Sequence, residues 1–332
     1  MSKADGIFKK MCTNIIENGY SSEGMKVRPH WEDGTPAHTV KQFGIINRYD
    51  LSEEFPALTL RKTYLKSAMD ELLWIWQKHS NNIHDLRSHV WDEWADKNGS
   101  IGRAYGYQQG CLYPYKGIHI KELKKAFPGI KRGLVFRFHD MGDITYGYEV
   151  EENCNNQGYD FVNHPIAIRN GEYTYMTQVD KVIYDLVNNP ASRRMIVTMW
   201  NPSDLHKMAL EPCAYSMTFN VTGNRLNAVL NQRSQDILAA NNWNVCQYAL
   251  LVMMLAQVTG YKPGELVHVI ADAHIYDRHI PVIKELITRE EYPAPKITLN
   301  PEIKNFYDFT TDDLTIEDYQ AGEQIRNIPI AI

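Results

Sequence analysis

EPCAYSMTFNVTGNRLNAVLNQRSQD, residues 211–236, holds two β-rich runs, YSMTFNV (215–221) and RLNAVLNQ (225–232), on either side of Thr222-Gly223-Asn224. A short turn carrying glycine and asparagine between two such runs predicts a β-hairpin. Downstream, Val245–Gln257 is apolar nearly all round, the pattern of a helix buried on every side. Further β-rich runs lie at LVFRF (134–138), RMIVTMW (194–200) and ELVHVIA (265–271). Towards the start, Leu65, Ala68, Met69, Leu72, Leu73 and Trp76 recur at spacings of three and four, predicting a helix over 64–77 with Glu71 beside its apolar stripe. Residues 7–18 read as a second amphipathic helix, and 27–39 as a loop rich in Gly, Pro and Asp. Strands and helices mix without strict alternation, so the fold class is α+β. Residues 107–190, rich in Tyr, Gly, Asn and charge, read as a peripheral lobe inserted into one domain spanning 1–332.

Composition sets the outer limits. With 44% apolar and 23% charged residues, the 332-residue chain can bury an ordinary core. A net charge of -5 argues against a protein whose main business is coating nucleic acid with clustered Lys and Arg, while leaving room for a small phosphate pocket. The five cysteines, Cys12, Cys111, Cys154, Cys213 and Cys246, are odd in number, widely spaced and without a Cys-x-x-Cys pair, which argues against a disulfide framework or structural zinc. The N-terminus shows no apolar secretory core and no stretch is long enough to span a bilayer, so a cytosolic setting without membrane partners is expected. No metal-ligand spacing, P-loop or dinucleotide fingerprint is present.

The second half concentrates reactive side chains between apolar strands. Pro212 fixes the backbone before Cys213, which reads either as a nucleophile at a strand edge or as a small buried side chain, the commoner fate of a free cysteine. A reactive thiol needs a positive charge nearby. Arg233 and Ser234 offer a guanidinium fork and a hydroxyl suited to a phosphate, or else a solvated arginine beside a turn-forming serine. Arg193 and Arg194 open a strand, where neighbours point to opposite faces. His274 and Tyr276, two apart, share a face if extended and suit sugar hydroxyls as well as a purely structural pair.

Taken in order, these pieces resemble one family. Pro212-Cys213, Gln232-Arg233-Ser234-x-Asp236, Asn244 and Asp272-x-His274-x-Tyr276 resemble the thymidylate synthase family. So do ELLW (71–74), WDEWAD (91–96), Tyr105-Gly106, SRR-x-IV-x-x-WN (192–201) and the final Pro329-Ile330-Ala331-Ile332. The likeness covers roughly 34–106 and 186–332, and departures within it suggest a divergent bacterial or phage-like branch. It implies a twisted mixed β-sheet with helices packed on one face, and a homodimer formed through the sheets. It also implies reductive methylation of dUMP to dTMP, with 5,10-methylenetetrahydrofolate as cosubstrate, no metal, and dihydrofolate as the second product.

The resemblance further assigns roles. Cys213 would be the nucleophile, with Glu71, Tyr105, Arg233, Asp236 and Asn244 completing the catalytic set. Arg233, Ser234, Gln232 and Asp236, together with Arg193 and Arg194 from a partner subunit, would hold the nucleotide, and His274 and Tyr276 its sugar. Trp91 and Asp236 would meet the folate, with Ala331 and Ile332 closing over it. Asn244 would read uracil, since a carboxamide can accept from N3–H and donate to O4.

Several positions depart from the family pattern. Ala214 stands where many members have His, and Leu238-Ala239-Ala240-Asn241-Asn242-Trp243 replaces a usual Leu-Gly-x-Pro-Phe. No arginine stands in the usual N-terminal phosphate-binding segment, for which Arg28 or Lys26 are the substitutes. Two rival readings go with these departures: a nucleotide hydroxymethylase of the same family, and an RNA-binding protein, weakly binding, built on a degenerate site. A thiol hydrolase would need a His base, and none is identifiable.

Overall fold

The computed structural model describes residues 1–127, 168–170 and 173–331; the run at 134–138, much of the segment read as a lobe, and Ile332 lie outside them. The first half contains α1 (Lys3–Asn18), β1 (Tyr20–Ser21), β2 (Thr39–Asp50), α2 (Leu65–Trp76), α3 (Gly106–Gly110), β3 (Tyr113–Lys116) and α4 (Ile120–Ala126). The second contains β4 (Ile168–Asn170), β5 (Tyr173–Met176), α5 (Gln178–Asn188), β6 (Ile196–Thr198), β7 (Ala214–Thr222) and β8 (Arg225–Gln232). After these come β9 (Gln235–Asp236), α6 (Asn241–Thr259), β10 (Lys262–Tyr276), α7 (Ile280–Leu286), β11 (Lys296–Leu299) and β12 (Leu314–Glu317).

The principal sheet runs β1-β2-β10-β8-β7-β6, with β9 added beside β10. It is mixed: β10 pairs antiparallel with β2 and parallel with β8 and β9, while β7 pairs antiparallel with β8 and β6. The hairpin expected from Thr222-Gly223-Asn224 is the β7–β8 pair, with Thr222 opposite Arg225 and Gly223 at φ +61°. That left-handed torsion suits glycine, which has no side chain to clash.

One sheet face carries Leu226, Ala228, Leu230, Leu266 and Ile270, all buried. Against it lies α6, whose Leu250, Leu251, Val252, Met254 and Leu255 are buried, as its nearly all-apolar run, broken by Gln247 and Gln257, leads one to expect. Packing on α6 in turn, α2 has neighbours on both flanks, so polar Asp70 and Glu71 are buried along with Leu72 and Trp76. The opposite sheet face differs. Ile196 is opposite Thr218, Thr218 opposite Val229, Val229 opposite Val267, and Val269 opposite Ile46, and directly opposed residues share a face. Ile46 is 60% exposed and Ile196 48%: this wall carries exposed apolar side chains and is uncovered among the described residues.

A small three-stranded sheet, β3-β5-β4, stands apart from the main one. Residues 178–188, within the segment read as a lobe, form α5, whose buried Val179, Val182, Ile183 and Leu186 pack on the body through α4, β6 and α6.

Candidate functional site

The hairpin register builds the centre of the site. Because Ala214 pairs with Gln232, the residues just outside the two strands, Cys213 and Arg233, become neighbours, and the Arg233 N–H donates to the Cys213 carbonyl at 3.0 Å. The Arg233 side chain then folds back. Its Nε donates to the Pro212 carbonyl at 3.1 Å and its Nη2 to the Glu211 carbonyl at 2.7 Å, which leaves Nη2 3.8 Å from Cys213 Sγ. Trp200 lies beneath the guanidinium, 5.8 Å away. The positive charge required by a reactive thiol is therefore present.

Opposite Cys213 stands Tyr105, in the unusual backbone conformation φ 43°, ψ -101° at the start of α3. Its hydroxyl accepts the Cys213 N–H at 3.0 Å and so fixes the base of the nucleophile's strand. Burial pushes the Cys213 thiol up, and Arg233, the Tyr105 hydroxyl and Arg28 offset only part of that rise. Arg28 sits on the loop whose Trp31 is buried and tied to Asp277 at 3.0 Å, with Arg278 over its ring at 4.9 Å. Of the two substitutes for the missing N-terminal arginine, Arg28 is the one whose charge acts on both Cys213 and Tyr276.

Glu71 lies on the same cleft from α2. Its Oε1 accepts from Trp91 Nε1 at 2.9 Å and its Oε2 from Trp243 Nε1 at 2.5 Å. Burial raises its pKa, partly countered by the two indoles and by Gln247. Trp91 also packs its ring 5.0 Å from that of Tyr105. Trp243 enters from the first turn of α6, which Asn242 anchors by accepting from Leu58 N–H and the Thr63 hydroxyl and donating to Pro56 O. Thus the Ala239–Trp243 stretch, marked in sequence as a departure, delivers a second tryptophan to Glu71. Residues 71 and 243 are too far apart for any sequence signal to pair them.

Asp236 follows from β9, where it is opposite His274 of β10. Burial acts to raise its pKa, but His279, the Ala239 N–H and His274 outweigh that and hold the carboxyl below its ordinary value. Leu238 N–H, Ala239 N–H and His279 all approach Oδ1. His279, for which the sequence offered no role, also bonds the Pro329 carbonyl at 2.8 Å and so ties the C-terminal segment at Pro329 to the Asp236 side of the cleft. His274 is held by Asp272 at 3.0 Å and its ring stands 5.2 Å from Tyr276 on the same strand. Strand β10 extends to Tyr276, which makes the two side chains co-facial as alternation requires. Ser234 is half-buried in the bend between β8 and β9.

Arg193 and Arg194 are not brought to this centre. Both are exposed and precede β6, and Met195 accepts from Phe219, six residues along β7 from Cys213. At the rise of an extended strand that is roughly 20 Å. Among the described residues no group of three His, Cys, Asp or Glu side chains is placed to hold a metal, and no helix is long and apolar enough to cross a membrane.

Comparison with known proteins gives the same picture over the whole chain. A family model described as thymidylate synthase matches residues 6–332. Thymidylate synthase 1 of Bacillus subtilis (strain 168) is 38% identical over 329 residues, 98% of each sequence. The thymidylate synthase of Bacillus phage phi3T is 37% identical over the same shares. Among solved structures, the thermostable thymidylate synthase A from Bacillus subtilis superposes with a TM-score of 0.76 at 35% identity, covering 99% of both chains.

Proposed function

This chain belongs to the thymidylate synthase family, and from that premise we propose that its cleft converts dUMP to dTMP by reductive methylation, using 5,10-methylenetetrahydrofolate and releasing dihydrofolate. The observation that carries the reading is the Arg233 guanidinium 3.8 Å from Cys213 Sγ, fixed there by two backbone carbonyls. One guanidinium so placed favours the thiolate and reaches for a phosphate at once.

The sulfur, having lost its proton, adds to carbon 6 of the uracil ring, and the displaced electron pair makes carbon 5 an enolate-like nucleophile. Asn244 holds the developing charge at O4 through its N–H and reads N3–H with its carbonyl. After carbon 5 has been alkylated and has lost its proton, the bond between the new carbon and the folate nitrogen breaks, and a hydride delivered to that carbon expels the Cys213 sulfur from C6 and restores the ring. Glu71, held between two indole donors, manages protons through ordered water. Tyr105 fixes the strand that bears the sulfur.

The phosphate is gripped by Arg233, Ser234 and Arg28, with Arg193 and Arg194 supplied across a homodimer interface. The roughly 20 Å that separates those two from their own Cys213 supports donation in trans. The uncovered apolar sheet wall supports a dimer through the sheets. His274 and Tyr276 take the sugar hydroxyl.

The residues present fit a folate. The Asp236 carboxylate is an acceptor for the N–H edge of a pterin, and Trp91 and Trp243 offer aromatic walls. When bound, the folate supplies the one-carbon unit and the hydride that completes the methyl group. The C-terminal segment, held through Pro329, is placed to exclude water from it.

A spectrophotometric assay with dUMP and 5,10-methylenetetrahydrofolate is expected to show dihydrofolate appearing one for one with dTMP. A 5-hydroxymethyl nucleotide formed without dihydrofolate would reject this reading in favour of the hydroxymethylase.

A further inference from the structure

Asn244 raises a problem that its own side chain cannot solve. A carboxamide turned one way accepts from N3–H and donates to O4 of uracil; turned over, it donates to N3 and accepts from the amino group of cytosine. An asparagine free to flip would therefore serve either base. We propose that Asn244 is locked in its uracil-reading orientation by a buried polar chain from His268 through Gln232, Asn244 and Gln247 to Glu71, which makes His268 and Gln247 positioning residues that set base specificity. This inference rests on the dUMP reading above.

The direction of the chain is set from the Glu71 end. Both oxygens of that carboxyl already accept indole N–H groups, so Gln247 must turn its amide nitrogen, not its oxygen, towards it. Gln247 Nε2 has no hydrogen-bond partner at normal length among the described residues, yet it faces Glu71 closely enough to lower that carboxyl's pKa. The Gln247 oxygen is thereby left to accept from Asn244 Nδ2, at 3.1 Å. Asn244 Oδ1 in turn accepts from Gln232 Nε2 at 3.3 Å, and Gln232 Oε1 accepts from His268 Nε2. Each member hands the next the only orientation that avoids facing two donors or two acceptors.

The far end is closed by His268, which is fully buried and, with its pKa pushed down to about 3 by burial, holds a single N–H. That hydrogen must sit on Nε2, because Gln232 presents an oxygen. Reversing the chain would move it to Nδ1, which has no partner among the described residues, and a buried unpaired N–H is costly. At the reading end, Asn244 keeps one lone pair and one N–H for the base.

The test compares dissociation constants for dUMP and dCMP, measured by titration calorimetry. Wild type should prefer dUMP strongly. In Gln247→Met and in His268→Leu the preference ratio should fall at least about tenfold, with dCMP gaining relative to dUMP. His268→Gln, which keeps an N–H donor, should restore most of the ratio. Equal weakening of both nucleotides, with the ratio unchanged, is what a purely structural role gives, and it overturns the proposal while leaving the dUMP assignment standing. A wild type that binds neither nucleotide overturns both. Should the variants fail to fold, nitrogen-15 shifts of histidine-labelled wild type decide the matter. Protonated Nε2 with bare Nδ1 at His268 supports the chain, and the opposite tautomer overturns it.

Discussion

Cys213 sits in a balance between burial, which favours the neutral thiol, and two arginines and a phenol that favour the thiolate; burial is ahead. The free protein therefore rests with a protonated sulfur, and its reactivity must grow with pH. Alkylation of Cys213 by iodoacetamide should rise about tenfold per pH unit between pH 7 and 9 without levelling off; a plateau below pH 8 would show that the charges win instead. Cys213→Ala should abolish dihydrofolate production while dUMP binding stays measurable, because the phosphate grip does not use the sulfur. Asn244→Asp should move preference towards dCMP, since a protonated carboxyl can donate to N3 and accept from the amino group; competition binding reads this directly. At this scale the sequence was informative where chemistry is carried by short ordered motifs, as at Pro212-Cys213 and Gln232–Asp236. It was silent on Trp243 with Glu71 and on His279 with Asp236. Those pairs depend on how α2 meets α6 and how the turn after β10 meets β9, and a side chain's partner across a cleft leaves no local periodicity. Arg28 was named only as one of two substitutes, because the pinning of its loop by Trp31 on Asp277 is a tertiary event.

Among the elements, α6 does most to shape the cleft. Its first turn delivers Trp243 and Asn244, and its last ends at Gly260, φ +81°, whose N–H caps the Ala256 and Gln257 carbonyls. A β-carbon at Gly260 would meet nothing within 4 Å, so the cost of Gly260→Ala is torsional alone. It should be about 1–2 kcal/mol, read as a lower urea midpoint with turnover unchanged. The interior of this helix was legible from its nearly all-apolar run, but its true start at Asn241 was not, since Asn-Asn reads as loop until Asn242 is seen bonding Leu58, Thr63 and Pro56. Strand β10 was likewise read short: ELVHVIA looks like a complete strand, yet pairing with β2 on one side and with β8 and then β9 on the other carries it on to Tyr276. In contrast β6 is shorter than RMIVTMW suggested: Ile196–Thr198 lie in register with β7, and beyond them single backbone bonds link Met195 to Phe219 and Met199 to Tyr215. Ladder hydrogen bonds, not propensity, decide where a strand stops.

At the scale of the whole molecule, the described residues form a mixed sheet with helices on one side, as the family resemblance implied, and a bare wall on the other. On the dimer proposal, each cleft borrows Arg193 and Arg194 from its neighbour. Cys213→Ala mixed with the double variant Arg193→Ala, Arg194→Ala should therefore regain activity that neither has alone, reaching about a quarter of wild type under random reassortment around a two-fold axis. No recovery would place those arginines elsewhere. Light scattering should give the mass of two chains, and Ile46→Lys, which sets a charge in the middle of the wall, should give one. The same wall bears on how much thymidylate a cell obtains from a given amount of this polypeptide. When a catalyst must meet its twin before it can work, output follows the square of a scarce supply and only the first power of a plentiful one. Halving a low dose then costs the cell more than half its yield.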